Sequence, residues 1–206
     1  MRKYIENARQ PKGLRGRMIL RRMNRSHAAL SEWGLGFLDC REAEAILDVG
    51  CGGGANLARL LHAAPRAHVF GMDYSSVSVA QSAKRNRAAV REGRCTVSQG
   101  TVSALPFDRE TFDLVTAFET VYFWPDLPND LWEVSRVLKP GGRFLICNEA
   151  FFSPDAPERY AALEQALSMK VYAPEELTEA LSAAGFSQAL AHTHENGLWI
   201  AVVAVK

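Results

Sequence analysis

The stretch from Ile46 to Leu61, ILDVGCGGGANLARLL, constrains this chain more than any other. Ile46, Leu47 and Val49 form a short apolar run of β type, Gly50, Gly52, Gly53 and Gly54 follow at once, and Leu57, Leu60 and Leu61 resume at helical spacing. The predicted unit is a buried strand, a tight glycine turn and a helix. Glycine suits such a turn because a Cβ would forbid unusual φ angles and hold a ligand away from the backbone amides. The turn is therefore a candidate ligand cradle. The alternative is a plain glycine-rich connection, since a bare Gly-x-Gly pattern is a weak signal. Asp48 stands two places before the first glycine. There a carboxylate accepts hydrogen bonds from an ammonium or a nearby amide, and a dinucleotide pyrophosphate would not want it.

A chain of 206 residues fits one domain with a small appendage and buries a core without metal or disulfide help. Cys40, Cys51, Cys95 and Cys147 are widely spaced, with no Cys-x-x-Cys pair and no His at metal-site spacing. This predicts reduced thiols in a cytoplasmic protein and no metal site. The first residues lack an apolar signal core, and no stretch approaches the ~20 apolar residues of a membrane span. Charge is uneven: residues 1–25 hold nine Lys or Arg against Glu6 alone, although the net charge of the whole chain is only +1. Such an arm attracts an acidic substrate, nucleic acid or an anionic surface, or it is simply a solvated end.

Before the glycine turn, Met18, Ile19, Leu20 and Met23 predict an amphipathic helix, and Ser26 is a candidate cap for a second helix running toward Trp33. Met23, His27 and Leu30 lie at i, i+4 and i+7, so one continuous helix would set His27 on an apolar face, as a packed histidine or a base. Beyond the turn, Ala67 to Met72 reads as a second strand ending at Asp73, placed to accept hydrogen bonds from ribose hydroxyls. Ser75 caps a predicted helix through Val90. Cys95 to Ser98 is a third strand, Gly100 to Phe107 a loop and Phe112 to Phe118 a fourth strand. The continuation Glu119, Tyr122, Phe123 and Trp124 is polar and aromatic, which fits a pocket wall or, for Tyr122 and Trp124, ordinary core. Leu131 to Leu138 form a helix stripe, Pro140-Gly141-Gly142 turns the chain, and Phe144 to Cys147 is a fifth strand. A charged helix within 154–173 and another from Glu175 to Ala184, stopped by Gly185, precede a hairpin through Asn196-Gly197. His192 and His194 alternate on an exposed face of that hairpin. The strand–helix alternation implies an α/β fold with a mostly parallel sheet.

LDVGCGGG at 47–54, Asp73, ALPF with FDLV at 104–115, LKPGG at 138–142 and the terminal hairpin together resemble the class I S-adenosylmethionine (SAM) dependent methyltransferases. The likeness is to the small-molecule, ubiquinone-biosynthesis-like branch and covers residues 45–205. It implies a Rossmann-like sheet of seven strands in the order 3-2-1-4-5-7-6 with strand 7 antiparallel. An N-terminal basic arm and helical lid (1–44) would precede a methyltransferase domain (45–206). By position, Asp48 and the backbone at Gly50, Cys51 and Gly52 would surround the amino-acid portion of SAM, Asp73 its ribose, and Tyr74 its adenine. Thr101 stands where many relatives have Asp, leaving Val102 and Ser103 to help with the adenine. Glu119 would line the methionine end or face the acceptor.

The expected chemistry is in-line transfer of a methyl group to a small molecule, in which alignment and dryness contribute most and no metal is needed. Tyr122, Trp124 and the N-terminal helices would form the acceptor pocket, with His27 or Glu119 as base if one is used, so His27, Glu119 and Tyr122 are the candidate catalytic residues. An acidic acceptor would suit the arm. A nucleic-acid substrate is disfavoured because FETVYFWPD lacks the Asn/Asp-Pro-Pro-aromatic signature of base-amino methylators. A homodimer is compatible with the sequence but not specified by it. The rivals are a SAM-binding regulatory protein without catalysis and an NAD-dependent oxidoreductase, because Gly50, Gly52 and Ala55 also satisfy the relaxed dinucleotide pattern.

Overall fold

The apolar runs become seven strands among the described residues: β1 (Ala45–Val49), β2 (His68–Asp73), β3 (Cys95–Gln99), β4 (Phe112–Phe118), β5 (Leu138–Asn148), β6 (Gln188–Thr193) and β7 (Ile200–Val205). In the computed structural model, which describes residues 13–206, they form one sheet ordered β3-β2-β1-β4-β5-β7-β6. The first five strands pair in parallel, and β7 runs antiparallel to both β5 and β6. This is the order the resemblance implied. Strand order reverses between β1 and β4, which opens a crevice at their carboxyl ends.

Eight helices surround the sheet among the described residues: α1 (Gly13–Ser26), α2 (Ala28–Leu35), α3 (Ala55–Ala63), α4 (Ser76–Arg85), α5 (Arg87–Arg91), α6 (Leu127–Val137), α7 (Ala161–Leu167) and α8 (Pro174–Ala183). Period-two alternation along β1 sorts them. Leu47 and Val49 join a core with Leu131, Val134 and Val137 of α6 and Leu177 and Leu181 of α8, while Ile46 packs with Leu57 and Leu60 of α3. Each fully buried Leu or Val contributes roughly 1.5–3 kcal/mol, so these faces hold the sheet. Leu30 of α2 packs with Phe118, Leu145, Cys147 and Ala201. A Cβ on Gly34 would lie 2.5 Å from Cys147 Sγ, so α2 sits flush on β5.

Several local expectations change. Ser26 does not cap α2; its hydroxyl donates back to Met23 O at 3.2 Å, and His27 is the junction between α1 and α2. The helix capped by Ser75 breaks at Asn86, whose Nδ2 donates to Gly54 O and Ser82 O, both at 3.0 Å, and so ties the break to the glycine turn. The Pro140–Gly142 segment lies inside β5, where the register against β4 shifts. The charged connection within 154–173 is helical only over α7. His192 stacks on Phe37 with ring centroids 4.3 Å apart, and His194 packs edge-on against Trp33, so these rings are half-buried against aromatic partners. Residues 1–12 of the basic arm lie outside the described residues. Among those described, no helix is long and apolar enough to cross a membrane.

The ALPF motif is stapled to α6. Arg136 donates to Phe107 O at 2.7 Å and Leu105 O at 2.8 Å, and Glu133 accepts from Leu105 N at 2.7 Å while pairing with Arg136. These partly buried groups fix the loop that walls the crevice on the β2–β3 side.

Candidate active site

The glycine turn after β1 is built from backbone conformations that only glycine adopts easily. Gly50 has φ 77° and Gly54 φ 74°. A Cβ on Gly50 would meet Thr120 Cγ2 at 2.3 Å, and one on Gly54 would meet Ser82 Oγ at 2.5 Å. The turn is thereby wedged between the end of β4 and α4. Its amides are spent on protein acceptors: Gly50 N and Cys51 N donate to Met72 O at 2.7 and 3.0 Å, and Gly52 N donates to Asp73 Oδ2 at 2.9 Å. These three amides are therefore already bonded within the protein. The turn offers carbonyl oxygens instead; among the described residues no donor reaches Gly50 O.

A cavity of about 450 Å³ follows the turn. Gly50, Cys51, Gly52, Asp73, Tyr74, Thr101, Val102, Glu119 and His27 all line it, so most of the predicted site converges. At one end Asp73, the last residue of β2, is nearly buried and accepts from Gly52 N and from Ser75 N at 2.8 Å. Burial raises its pKa, against those two bonds and a contribution from Ser78. Tyr74 and Thr101 flank this end.

Three predicted residues do not line the cavity. Asp48 lies beneath the turn, 2% exposed, accepting from Thr116 Oγ1 at 2.7 Å; burial pushes its carboxyl up to about 7. It faces the sheet interior because it shares a face with Ile46. Ser103 sits behind the loop backbone, where the chain turns away after Val102. Tyr122 is buried in the short 3₁₀ turn Val121–Phe123; its hydroxyl donates to Glu119 Oε1 at 3.3 Å and accepts from Ala150 N at 3.0 Å. It supports Glu119 and does not reach the cavity.

The other end is acidic and aromatic. Glu119 follows β4 with a left-handed φ of 59°, uncommon for a side chain with a Cβ. Its Oε1 also accepts a short hydrogen bond from Glu149 N. Burial first, then the charge of Glu149, raise Glu119 to about 8, so it keeps its proton at neutral pH. His27 Nε2 lies 3.4 Å from Glu149 Oε2. Burial works to lower the His27 pKa, but the Glu149 hydrogen bond and the charges of Glu119 and Glu149 outweigh it, and the imidazole ends above its ordinary 6.5. The His27 bond in turn holds Glu149 low. Leu20, Met23, Phe118, Phe123, Trp124 and Pro125 supply apolar wall.

Sequence reasoning missed Arg59, Ser31 and above all Glu149. Arg59 lines the cavity from α3 and reaches toward Glu32 at 3.7 Å. Glu149 stands just past β5, the same position relative to its strand that singled out Glu119 past β4; extending that rule to the fifth strand would have found it.

The shape accepts a nucleoside with a cationic tail. Asp73 offers a carboxylate for hydroxyls, the turn offers carbonyls rather than free amides, and a Cβ on Gly52 would project into open space with Leu20 Cδ2 at 3.8 Å as its nearest neighbour. A pyrophosphate would find the amides of Gly50, Cys51, Gly52 and Gly54 already occupied.

Residues 47–146 match the family described as "Methyltransferase domain". Demethylmenaquinone methyltransferase of Symbiobacterium thermophilum is 39% identical over 111 residues, which are 53% of this chain and 44% of that one. The 24-methylenesterol C-methyltransferase 2 of Oryza sativa subsp. japonica is 31% identical over 129 residues, 61% of this chain and 35% of that one. This chain therefore spans less than half the length of these relatives. A crystal structure of a SAM-dependent methyltransferase from Aquifex aeolicus superposes with a TM-score of 0.73 at 20% identity, covering 90% of this chain and 96% of that one, and so shares the fold.

Proposed function

We propose that this chain, which carries a class I SAM-dependent methyltransferase domain, transfers a methyl group from SAM to a small organic acceptor. The observation that carries this reading is a single cavity bounded by the glycine turn and Asp73 at one end and by His27 and Glu119 at the other. One end suits a nucleoside donor; the other suits the acceptor.

When bound, SAM supplies an electrophilic methyl group on a sulfonium sulfur. In this reading Asp73 holds the ribose hydroxyls, Tyr74, Thr101 and Val102 flank the adenine, and the Gly50 carbonyl accepts from the ammonium. Asp48 adds negative charge from beneath the turn. Glu119 faces the acceptor end beside His27, and α1 and α2 act as a lid that brings His27 over the acceptor. Phe118, Phe123 and Trp124 exclude water and hold the acceptor in line; such alignment supplies about 7–11 kcal/mol of rate enhancement. His27 takes a proton where the acceptor must lose one. We place the protein in the cytoplasm, a reading supported by four free cysteines, all buried.

Calorimetric titration with SAM, S-adenosylhomocysteine and NAD tests this. SAM and S-adenosylhomocysteine are expected to bind, and Asp73→Asn to weaken both at least tenfold. Binding of NAD alone would overturn the reading.

A further inference from the structure

His27 and Glu149 form a pair whose geometry says more about the acceptor than the cavity walls do. His27 lines the cavity, and its Nε2 is turned back toward Glu149 Oε2 at 3.4 Å. Glu149 itself does not line the cavity. At that ion-pair distance a proton on Nε2 is the one the carboxylate stabilises, which leaves the lone pair on Nδ1, and among the described residues no hydrogen bond to Nδ1 is formed. A carboxylate behind an imidazole fixes its tautomer and stabilises the imidazolium that forms when the free nitrogen accepts a proton. Glu149 is itself anchored, since its amide donates to Glu119 Oε1 and the next amide, of Ala150, donates to Tyr122 Oη. The whole arrangement therefore hangs on the ends of β4 and β5.

The charges at this end decide what enters. The charged or titratable groups facing His27 among the described residues are Glu119 and Glu149, with Tyr122 behind them. An anionic nucleophile would meet the carboxyl groups of Glu119 and Glu149 beside His27. Arg59, the described cation of the cavity wall, reaches toward Glu32 on α2. Leu20, Met23, Phe118, Phe123, Trp124 and Pro125 make the wall largely apolar there, with Ser31 and Thr120 among its polar members. An acidic acceptor was expected from the N-terminal arm, much of which lies outside the described residues, and the described end of the cavity does not favour one.

We propose that Glu149 is the positioning residue that makes His27 the proton acceptor of the site, and that the methyl acceptor is a neutral, largely apolar molecule reacting through a hydroxyl group. This rests on the methyltransferase reading. In the step, the hydroxyl gives its proton to His27 Nδ1 while the oxygen–methyl bond forms and the methyl–sulfur bond breaks. The positive charge leaves the sulfonium and ends on the imidazolium, beside Glu149. A hydroxyl needs such a base; a carboxylate nucleophile does not.

The test is ¹⁵N NMR of His27 in the full chain saturated with S-adenosylhomocysteine. Calorimetry on wild type and Glu149→Gln first establishes that both bind it; failure of wild type at that point sinks the cofactor reading, not this inference. The expected spectrum shows Nε2 protonated, with a titration midpoint that falls in Glu149→Gln and recovers in Glu149→Asp. A fold defect alone would not produce that recovery. An Nδ1–H tautomer, or an unchanged midpoint in Glu149→Gln, overturns the role of Glu149. Three probes of matched shape, 4-butylphenol, 4-butylaniline and 4-butylbenzoate, then report the acceptor class. The phenol is expected to shift the Nδ1 resonance and the benzoate to leave it unmoved. No response to the phenol, or a response to the benzoate or aniline alone, overturns the hydroxyl assignment.

Discussion

Replacing Asp48 with Asn isolates the electrostatics beneath the glycine turn. Asp48 is 2% exposed, and Thr116 Oγ1 donates to it at 2.7 Å. Burial is the main reason its carboxyl rises from 3.8 to about 7; the Thr116 bond opposes the rise and the charge of Asp73 adds to it. The sign follows from linkage. A carboxyl that binds its proton more tightly in the folded chain favours folding while protonated, so its contribution is greatest at low pH. It is lost as pH climbs from 3.8 through about 7 and stays lost above. At 1.36 kcal/mol for each tenfold change, that rise corresponds to about 4 kcal/mol, an upper bound because relaxation and water penetration soften the cost of a buried charge. Asn is close in shape, is neutral at every pH, and keeps an oxygen for Thr116.

Asp48→Asn is therefore expected to be more stable than wild type by up to about 4 kcal/mol at pH 8, with the difference closing toward pH 4. Urea denaturation of the ligand-free chain at several pH values measures it. A variant less stable than wild type at pH 8, or a difference independent of pH, would refute the reasoning. The same carboxyl links to the donor. A cationic ligand above the turn favours the carboxylate, so SAM binding near pH 6.5 is expected to release a proton in wild type. The calorimetric enthalpy should then vary with the buffer's ionisation enthalpy, and more weakly so in Asp48→Asn.

Two further perturbations test the frame around the site. Gly34→Ala places a methyl 2.5 Å from Cys147 Sγ in a full core; it is expected to cost about 1–3 kcal/mol by denaturation and to move the His27 resonances while leaving S-adenosylhomocysteine affinity intact. Arg136→Ala strands Glu133 and the carbonyls of Leu105 and Phe107, and is expected to cost roughly 3–5 kcal/mol, with faster hydrogen exchange across residues 104–107 as the readout.

The strand–turn–helix at 46–61 was legible because its signals are local: β-type apolar residues, glycines that take positive φ, then leucines at helical spacing. Asp73 was legible for the same reason, since the end of a parallel strand is a fixed place for a polar group. The direction of the turn's amides was not. That Met72 O captures both Gly50 N and Cys51 N depends on the register of β1 against β2, which no spacing within 46–61 encodes. Nor was the break at Asn86, because the groups that hold it are the carbonyls of Gly54, 32 residues away, and of Ser82. Tyr122 was read as a pocket wall or as core, and its bond to Glu119 was not legible. Val121 to Phe123 form a single 3₁₀ turn, which points the phenol inward toward Ala150. His27 was read from helical periodicity, whereas its placement comes from the junction between α1 and α2.

Among the described residues, the carboxyls around the turn favour a bound cation, and in the proposed function this bears on turnover as well as on binding. Asp48, Asp73 and Glu119 surround the turn, whose amides are already bonded and whose Gly50 carbonyl is open. Each of these carboxyls has its pKa raised chiefly by burial, so each gains when a cation settles nearby. A donor carrying an ammonium and a sulfonium relieves that cost; after transfer only the ammonium remains. In the proposed function the site is therefore expected to hold the donor more tightly than the demethylated product, a difference calorimetry would read, without any contact that must be made to one and broken to the other. In the proposed step the charge that leaves the sulfur moves to His27, beside Glu149, so the acceptor end would be most strongly paired at the moment the donor end is least.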